Sequence, residues 1–134
     1  LIVRGICVLI PGIPGESENI EAFSIVDKFL EHSRIFVFCN DNNNKYYIAS
    51  ADWMPRNFDH RIEVACPVYS KELQKELRDM IDIQLKDNVK ARIIDDKKPN
   101  QYRKTGSKEK TRSQFAIYDY FKKKASGSDP LING

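Results

Sequence analysis

The sequence lacks the features that usually mark a zinc-binding or membrane-spanning protein. Its three cysteines are widely spaced, without a Cys-x-x-Cys pair or a cluster with histidine, so the pattern does not predict a zinc site. No apolar run approaches the roughly 20 residues that a membrane-spanning helix needs, and no charged-then-apolar signal segment is found. We therefore expect free, reduced cysteines and no transmembrane segment.

Common signatures of nucleotide binding and proton transfer are also scarce. The chain has no Gly-x-x-x-x-Gly-Lys-Ser/Thr motif, so any nucleotide phosphate would be bound without a P-loop. Only His32 and His60 can supply an imidazole, the side chain that titrates near neutral pH. A histidine-dependent reaction therefore has few candidate residues here.

The charge of the chain is unevenly distributed. With 134 residues, 41% of them hydrophobic and 31% charged, the composition is that of one globular domain. Residues 90–112 hold nine basic and three acidic side chains, net +6, whereas residues 1–89 hold 10 basic and 14 acidic, net −4. A concentrated basic segment predicts a polyanionic partner, and a solvated loop is the alternative interpretation.

Hydrophobic periodicity predicts an α/β fold. The chain starts at Leu1 inside an apolar run, and we expect it to be a piece of a longer protein whose first strand, over 1–10, is buried on both faces. Further strands are predicted over 20–26, 34–39, 45–50, 61–68 and 89–94, and helices over 70–87 and 113–124. We also expect one helical turn over 27–30 and a loop over 53–57, where Pro55 would end regular structure.

Five polar residues form the candidate site. His32 stands before the strand pair, where it could transfer a proton. Arg34 shares the face of His32 in extended chain and could hold a phosphate with a forked pair of donors. Arg4, near the end of the first strand, reads as an anion ligand or as half of an ion pair. Arg56 and Arg61 are further candidates for neutralising phosphate oxygens, or for structural ion pairs.

Several stretches of the sequence together resemble one known family. They are LIVRGIC at 1–7, PGIPG at 11–15, EHSRI at 31–35, SADWMPRN at 50–57, RIEV at 61–64 and QFAIYDY at 114–120. These stretches resemble the C-terminal end of bacterial polyphosphate kinase, the ATP-using, phospholipase-D-like type. The SADWMPRN run is the most specific of them, and the resemblance covers residues 1–124.

The resemblance implies a fold and an activity. The chain would be the second phospholipase-D-like domain, over 1–124, with a mixed sheet flanked by helices and a flexible tail over 125–134. The parent enzyme would reversibly transfer the terminal phosphate of ATP to inorganic polyphosphate, through a phosphohistidine in a domain absent from this chain. The fragment alone would then be inactive.

The resemblance also implies cofactors, partners and a location. ATP would enter with Mg²⁺, held mainly through phosphates, and no metal ligand is assigned in this chain. The partners would be ATP and ADP, inorganic polyphosphate, the remaining domains of the parent enzyme and further copies in a homo-oligomer, without nucleic acid. The implied location is the cytoplasm, with or without peripheral association with the inner membrane.

Three residues carry over by motif. His32 matches a histidine that acts as general acid/base and contacts the nucleotide phosphates, and Arg4 matches an ATP contact. Glu63 matches an acidic residue near that site, which orients a histidine. Together with the reasoning from the residues, the predicted catalytic residues are His32 and Glu63. The predicted nucleotide-binding residues are Arg4, His32, Arg34 and Arg61.

The chain departs from the wider phospholipase D signature at two places. Arg34 stands where His-x-Lys has lysine, and Ser50-Ala51-Asp52 stands where that superfamily has a serine/asparagine pair. These departures count against lipid hydrolysis. A phospholipase-D-like phosphodiesterase or nuclease half, and a non-catalytic polyanion-binding module, remain the alternatives.

Overall fold

Five short strands and three helices make up the part of the chain that the computed structural model describes, residues 1–4, 7–95 and 100–127. The strands are β1 (Ala22–Ile25), β2 (Ile35–Phe38), β3 (Lys45–Ala49), β4 (Ala65–Val68) and β5 (Ala91–Ile94), and the helices are α1 (Pro55–His60), α2 (Lys71–Leu85) and α3 (Ser113–Ala125). They belong to two compact units, one of Leu1–Glu31 with Met80–Gly134 and one of His32–Asp79. The predicted α/β fold is confirmed.

The first unit contains the buried apolar core. Strands β1 and β5 pair antiparallel, with Phe23 opposite Ile93. Phe23, Ile25 and Ala91 are almost fully buried, and Ile2 packs against them. The predicted strand over 1–10 is wrong for most of its described length, because Ile2 makes only an isolated parallel bridge to Phe23. The predicted helical turn over 27–30 is also wrong, since these residues form a bend and continue as irregular chain.

A buried carboxylate connects three elements of this unit. Asp87 is 0% exposed, and its Oδ1 accepts the N–H groups of Val89, Lys90 and Ala91 at 3.0, 2.7 and 3.0 Å. Its Oδ2 accepts the N–H of Ser113 at 2.7 Å, at the start of α3. Burial works to raise the pKa of Asp87, but these N–H groups outweigh it and hold the pKa below the ordinary value. Asp87 therefore fixes the end of α2 to the starts of β5 and α3.

The second unit is built on a small antiparallel sheet in the order β2-β3-β4. The predicted hairpin is confirmed, with Ile35 opposite Ile48 and Phe38 opposite Lys45. Its turn places Asn40, Asp41 and Asn42 at φ of 44°, 52° and 61°. Asparagine and aspartate tolerate this left-handed region better than most residues, which explains the polar tip.

Two predictions for the second unit need correction. Pro55 does not end regular structure but begins α1, because proline at the first helical position loses no intrahelical hydrogen bond. The strand predicted over 61–68 is shortened to β4, and residues 61–64 are irregular.

The two long helices lie where the sequence predicts them. Helix α2 follows Ser70, whose Oγ accepts the N–H of Leu73 at 3.4 Å, as expected of an N-cap. Phe115, Tyr118 and Phe121 recur at helical spacing along α3, and in this chain they are 42%, 64% and 36% exposed. Of the predicted tail over 125–134, residues 128–134 lie outside the described part of the chain. No helix that the structure describes is long and apolar enough to span a bilayer.

Candidate functional site

Arg34 joins a histidine to a carboxylate just before β2. Its Nε lies 2.9 Å and its Nη2 lies 2.7 Å from Asp52 Oδ1. Its Nη1 donates to the His32 carbonyl oxygen at 2.9 Å and lies 3.0 Å from His32 Nδ1. The predicted proximity of His32 and Arg34 is thus present, and Asp52 holds the guanidinium in place.

This contact has a consequence for the imidazole. A guanidinium only donates hydrogen bonds, so His32 Nδ1 must be the acceptor in the 3.0 Å contact. A neutral imidazole then carries its hydrogen on Nε2. Arg34 Nη2 also lies 3.4 Å from His32 Nε2, so a guanidinium donor approaches each ring nitrogen, and the shorter contact favours Nδ1 as the acceptor.

The donors of Arg34 are already directed at protein acceptors. Its side chain is 19% exposed, and Asp52 and His32 occupy Nε, Nη1 and Nη2. A forked phosphate contact by Arg34 would require it to exchange one of these partners. Its role as a phosphate ligand stays a prediction, whereas its contact with His32 is in place.

Asp52 bridges two arginines. Its Oδ2 lies 3.5 Å from Nη2 of Arg56, while its Oδ1 receives Arg34. The hydrogen bond and charge of Arg34, with a smaller contribution from Arg56, hold the pKa of Asp52 below its ordinary value. The sequence does not predict this role of Asp52, because nothing local signals a partner 18 residues away.

Glu63 receives two hydrogen bonds that the sequence did not predict. Ser50 Oγ donates to Glu63 Oε2, and Asn57 Nδ2 donates to Oε1 at 2.6 Å. These donors, together with the nearby charges of Arg61 and Arg34, hold the pKa of Glu63 below its ordinary value. The predicted role of Glu63 in orienting a histidine stays a prediction, since its contacts in the described residues are with Ser50 and Asn57.

Two predicted arginine ligands are exposed. Arg61 follows α1, and Arg4 lies in the first unit. Neither guanidinium has an ion pair or hydrogen bond to another residue in the described part of the chain. Their assignment as nucleotide ligands stays a prediction.

Comparison with known proteins places this chain in a family. The model of the family described as polyphosphate kinase C-terminal domain 2 matches residues 1–114. The chain belongs to this polyphosphate kinase family. The resemblance predicted from the motifs is therefore confirmed.

Individual relatives agree with that assignment. The chain is 52% identical to the polyphosphate kinase of Vibrio cholerae over 122 residues, which cover 91% of this chain and 17% of that protein. The polyphosphate kinase of Escherichia coli K12 is also 52% identical, with 91% of this chain and 18% of that protein covered. A crystal structure of polyphosphate kinase from Porphyromonas gingivalis matches 94% of this chain and 19% of its own, at 47% identity and a TM-score of 0.89. The chain thus spans less than a fifth of these kinases.

Two arginines of the basic segment, residues 90–112, have ion-pair partners within the first unit. Arg112 pairs with Asp27 at 2.6 Å, and the Asp27 side chain is 2% exposed. Arg103 pairs with Glu21 at 3.0 Å and also donates to the Leu85 carbonyl oxygen. These cations are engaged in ion pairs within the first unit.

The lysines of the same segment differ from the arginines. Lys104, Lys108 and Lys110 are exposed, and they have no ion pair within residues 1–4, 7–95 and 100–127. Lys97 and Lys98 lie outside the described residues. The polyanion contact stays a prediction, and these exposed lysines are its candidates.

The described residues do not form a dedicated Mg²⁺ site. No group of three or more histidine, cysteine, aspartate or glutamate side chains in this part of the domain is placed to hold a metal. Asp52, the acidic residue nearest His32 in the Arg34 network, is occupied by two arginines.

Proposed function

We propose that this chain supplies one half of the active site of a polyphosphate kinase. The parent enzyme would reversibly transfer the terminal phosphate of ATP to inorganic polyphosphate, through a phosphohistidine carried by polypeptide outside this chain. The observation that carries the proposal is the contact of His32 with an arginine that Asp52 holds in place, in a domain of this family.

His32 is the proposed general acid/base. With Nδ1 accepting from Arg34, the Nε2–H of a neutral imidazole is left to donate to a phosphoryl oxygen. Phosphoryl transfer depends mainly on positioning and on neutralising oxygen charge. Arg4 and Arg61, which are exposed, are the proposed cations for that task, and Arg34 adds its charge beside His32.

The remaining parts of the proposal follow from the family. Glu63 would orient the histidine that becomes phosphorylated. ATP would bring Mg²⁺ on its phosphates, because oxygen ligands from phosphate suit that ion. The partners are the other domains of the parent enzyme and further copies in a homo-oligomer. We propose the cytoplasm as the location.

The test is ATP-dependent polyphosphate synthesis by the full-length parent enzyme. We expect His32→Ala to lower the rate by about 10²- to 10⁴-fold, the range for loss of a general acid/base. His60→Ala is the matched control, since His60 is the other histidine and is exposed at the end of α1. We expect the 134-residue chain alone to show no turnover.

Three outcomes would contradict the proposal. Full synthesis by the His32→Ala enzyme would remove His32 from the mechanism. An equal loss in His60→Ala would show that the effect is not specific to the site. His32-dependent hydrolysis of a phosphodiester by the parent, without polyphosphate synthesis, would favour the phosphodiesterase alternative.

A further inference from the structure

The hydroxyl of Ser50 has its hydrogen directed at Glu63. Ser50 Oγ accepts the N–H of Val64 at 3.0 Å, and it donates to Glu63 Oε2. The Ser50 N–H in turn donates to the Val64 carbonyl oxygen at 3.0 Å, which fixes the backbone on both sides. Because a hydroxyl has one hydrogen, accepting from Val64 leaves that hydrogen for the carboxylate.

Asn57 holds the other oxygen of the same carboxylate. Asn57 is 3% exposed, within the short helix α1, and its Nδ2 lies 2.6 Å from Glu63 Oε1. Its Oδ1 is buried and has no hydrogen-bond partner within the described ranges 1–4, 7–95 and 100–127. Burying this unpaired oxygen is unfavourable for the free energy of folding, and it occurs while the amide N–H group of the same side chain faces Glu63. Such a cost suggests that the contact with Glu63 serves a purpose beyond stability.

We propose that Ser50 and Asn57 are positioning residues that hold the Glu63 carboxylate in one orientation for the reaction. This inference rests on the proposed function, in which Glu63 orients the histidine that becomes phosphorylated. One donor on each oxygen prevents rotation of the carboxylate and leaves a free lone pair on each oxygen. A free lone pair of this kind can accept the N–H of an imidazole, which leaves the opposite ring nitrogen as the nucleophile.

The same two donors favour the ionised carboxylate. Arg61 and Arg34 are the charged groups that act on Glu63. Since an ionised oxygen is the better acceptor for an imidazole N–H, loss of the hydroxyl or amide should weaken the orienting contact most at low pH. If Ser50 and Asn57 position Glu63, their substitution should change the pH profile of kcat as well as its value.

The test uses the full-length parent enzyme and polyphosphate synthesis. We expect Ser50→Ala to lower kcat about tenfold, with KM for ATP within about twofold, because ground-state binding of the nucleotide is not altered. Ser50→Thr keeps the hydroxyl and should restore most of the rate. The acid limb of the kcat profile should move to higher pH in Ser50→Ala. Asn57→Asp, which removes the donor, should act in the same direction.

Matched controls make the same chemical changes elsewhere. Ser24 lies in β1, and Asn43 lies in the exposed turn before β3. We expect Ser24→Ala and Asn43→Asp to keep the kcat of the unsubstituted enzyme. Thermal unfolding of each variant separates a loss of fold from a loss of positioning. Because Ser50 is exposed, its variants test the proposal even if Asn57→Asp fails to fold.

A double variant distinguishes positioning from a general structural role. In the Glu63→Gln enzyme, Ser50→Ala should cause no further decrease in kcat, because the group that it positions has already lost its function. An equal decrease in both backgrounds would overturn the proposal, and so would parent-like kcat in Ser50→Ala with a lowered kcat in Glu63→Gln. Full synthesis by Glu63→Gln would instead overturn the role of Glu63 in the proposed function.

Discussion

The two compact units of this chain differ in how far their apolar side chains are buried. In the first unit Phe23, Ile25 and Ala91 are at most 2% exposed. In the second unit, within residues 32–79, Tyr46 and Asn57 are the buried residues. That unit instead exposes apolar side chains, such as Ile62 at 99% and Phe58 at 66%.

The distribution of polar networks follows the same division. The first unit uses its buried carboxylate, Asp87, to fix backbone N–H groups. The second unit uses Asp52 and Glu63 to hold the side chains of Arg34, Ser50 and Asn57. Acceptors for buried backbone N–H groups stabilise the fold, whereas the side chains that Asp52 and Glu63 hold belong to the proposed site. Substitutions in the two units should therefore change different measured quantities.

Asp87→Ala should have the largest effect on stability. It leaves four backbone N–H groups without their acceptor, at a position that is 0% exposed. Each buried, unsatisfied donor costs about 1–3 kcal/mol, so we expect the free energy of unfolding of the chain to fall by about 3 kcal/mol or more. Urea unfolding monitored by circular dichroism measures it. A decrease in the free energy of unfolding below about 1 kcal/mol would show that Asp87 does not stabilise the first unit as proposed.

Asp87→Asn tests the charge at the same position. The folded-state pKa of Asp87 lies below the ordinary 3.8, so its contribution is complete above that value. The contribution is lost as the pH falls through the lower, folded-state pKa. The free energy of unfolding of the unsubstituted chain should therefore fall steeply below about pH 4, and that of the Asp87→Asn chain should fall less. Identical slopes of unfolding free energy against pH would show that Asp87 does not carry this dependence.

Asp52→Asn should give the opposite result from Asp87→Ala. The ion pairs of Asp52 with Arg34 and Arg56 are partly exposed, so we expect the free energy of unfolding to fall by less than about 1 kcal/mol. Releasing Arg34 loosens the contact with His32, and we expect polyphosphate synthesis by the full-length parent to fall about tenfold or more. A stability loss as large as that of Asp87→Ala, with synthesis intact, would contradict the division.

Sequence patterns were informative where the structural signal is local. The β2–β3 hairpin is set by an apolar run, a polar turn and a second apolar run, and all three are contiguous in sequence. Helix α2 follows from its cap at Ser70 and its apolar stripe. The proximity of His32 and Arg34 depends only on their spacing of two residues in extended chain.

Features that depend on distant partners were not predictable in this way. Asp52 meets Arg34 across 18 positions, and Ser50 meets Glu63 across 13. The exposed face of α3 has the periodicity of a packed face, and periodicity cannot say whether a partner surface belongs to the same chain. Pro55 alone does not specify one outcome, because proline interrupts a helix from within but is favoured at its first position.

The smallest expected effect is on the surface of α2. Lys75 Nζ lies 2.9 Å from Asp79 Oδ2 one helical turn on, and the lysine side chain is 60% exposed. The lysine precedes the aspartate, which is the less favourable order relative to the helix dipole. We expect Lys75→Ala to change the free energy of unfolding by no more than about 0.3 kcal/mol and to leave synthesis unchanged. Because this pair belongs to neither network, a loss above about 1 kcal/mol would show that stability is not concentrated in the first unit.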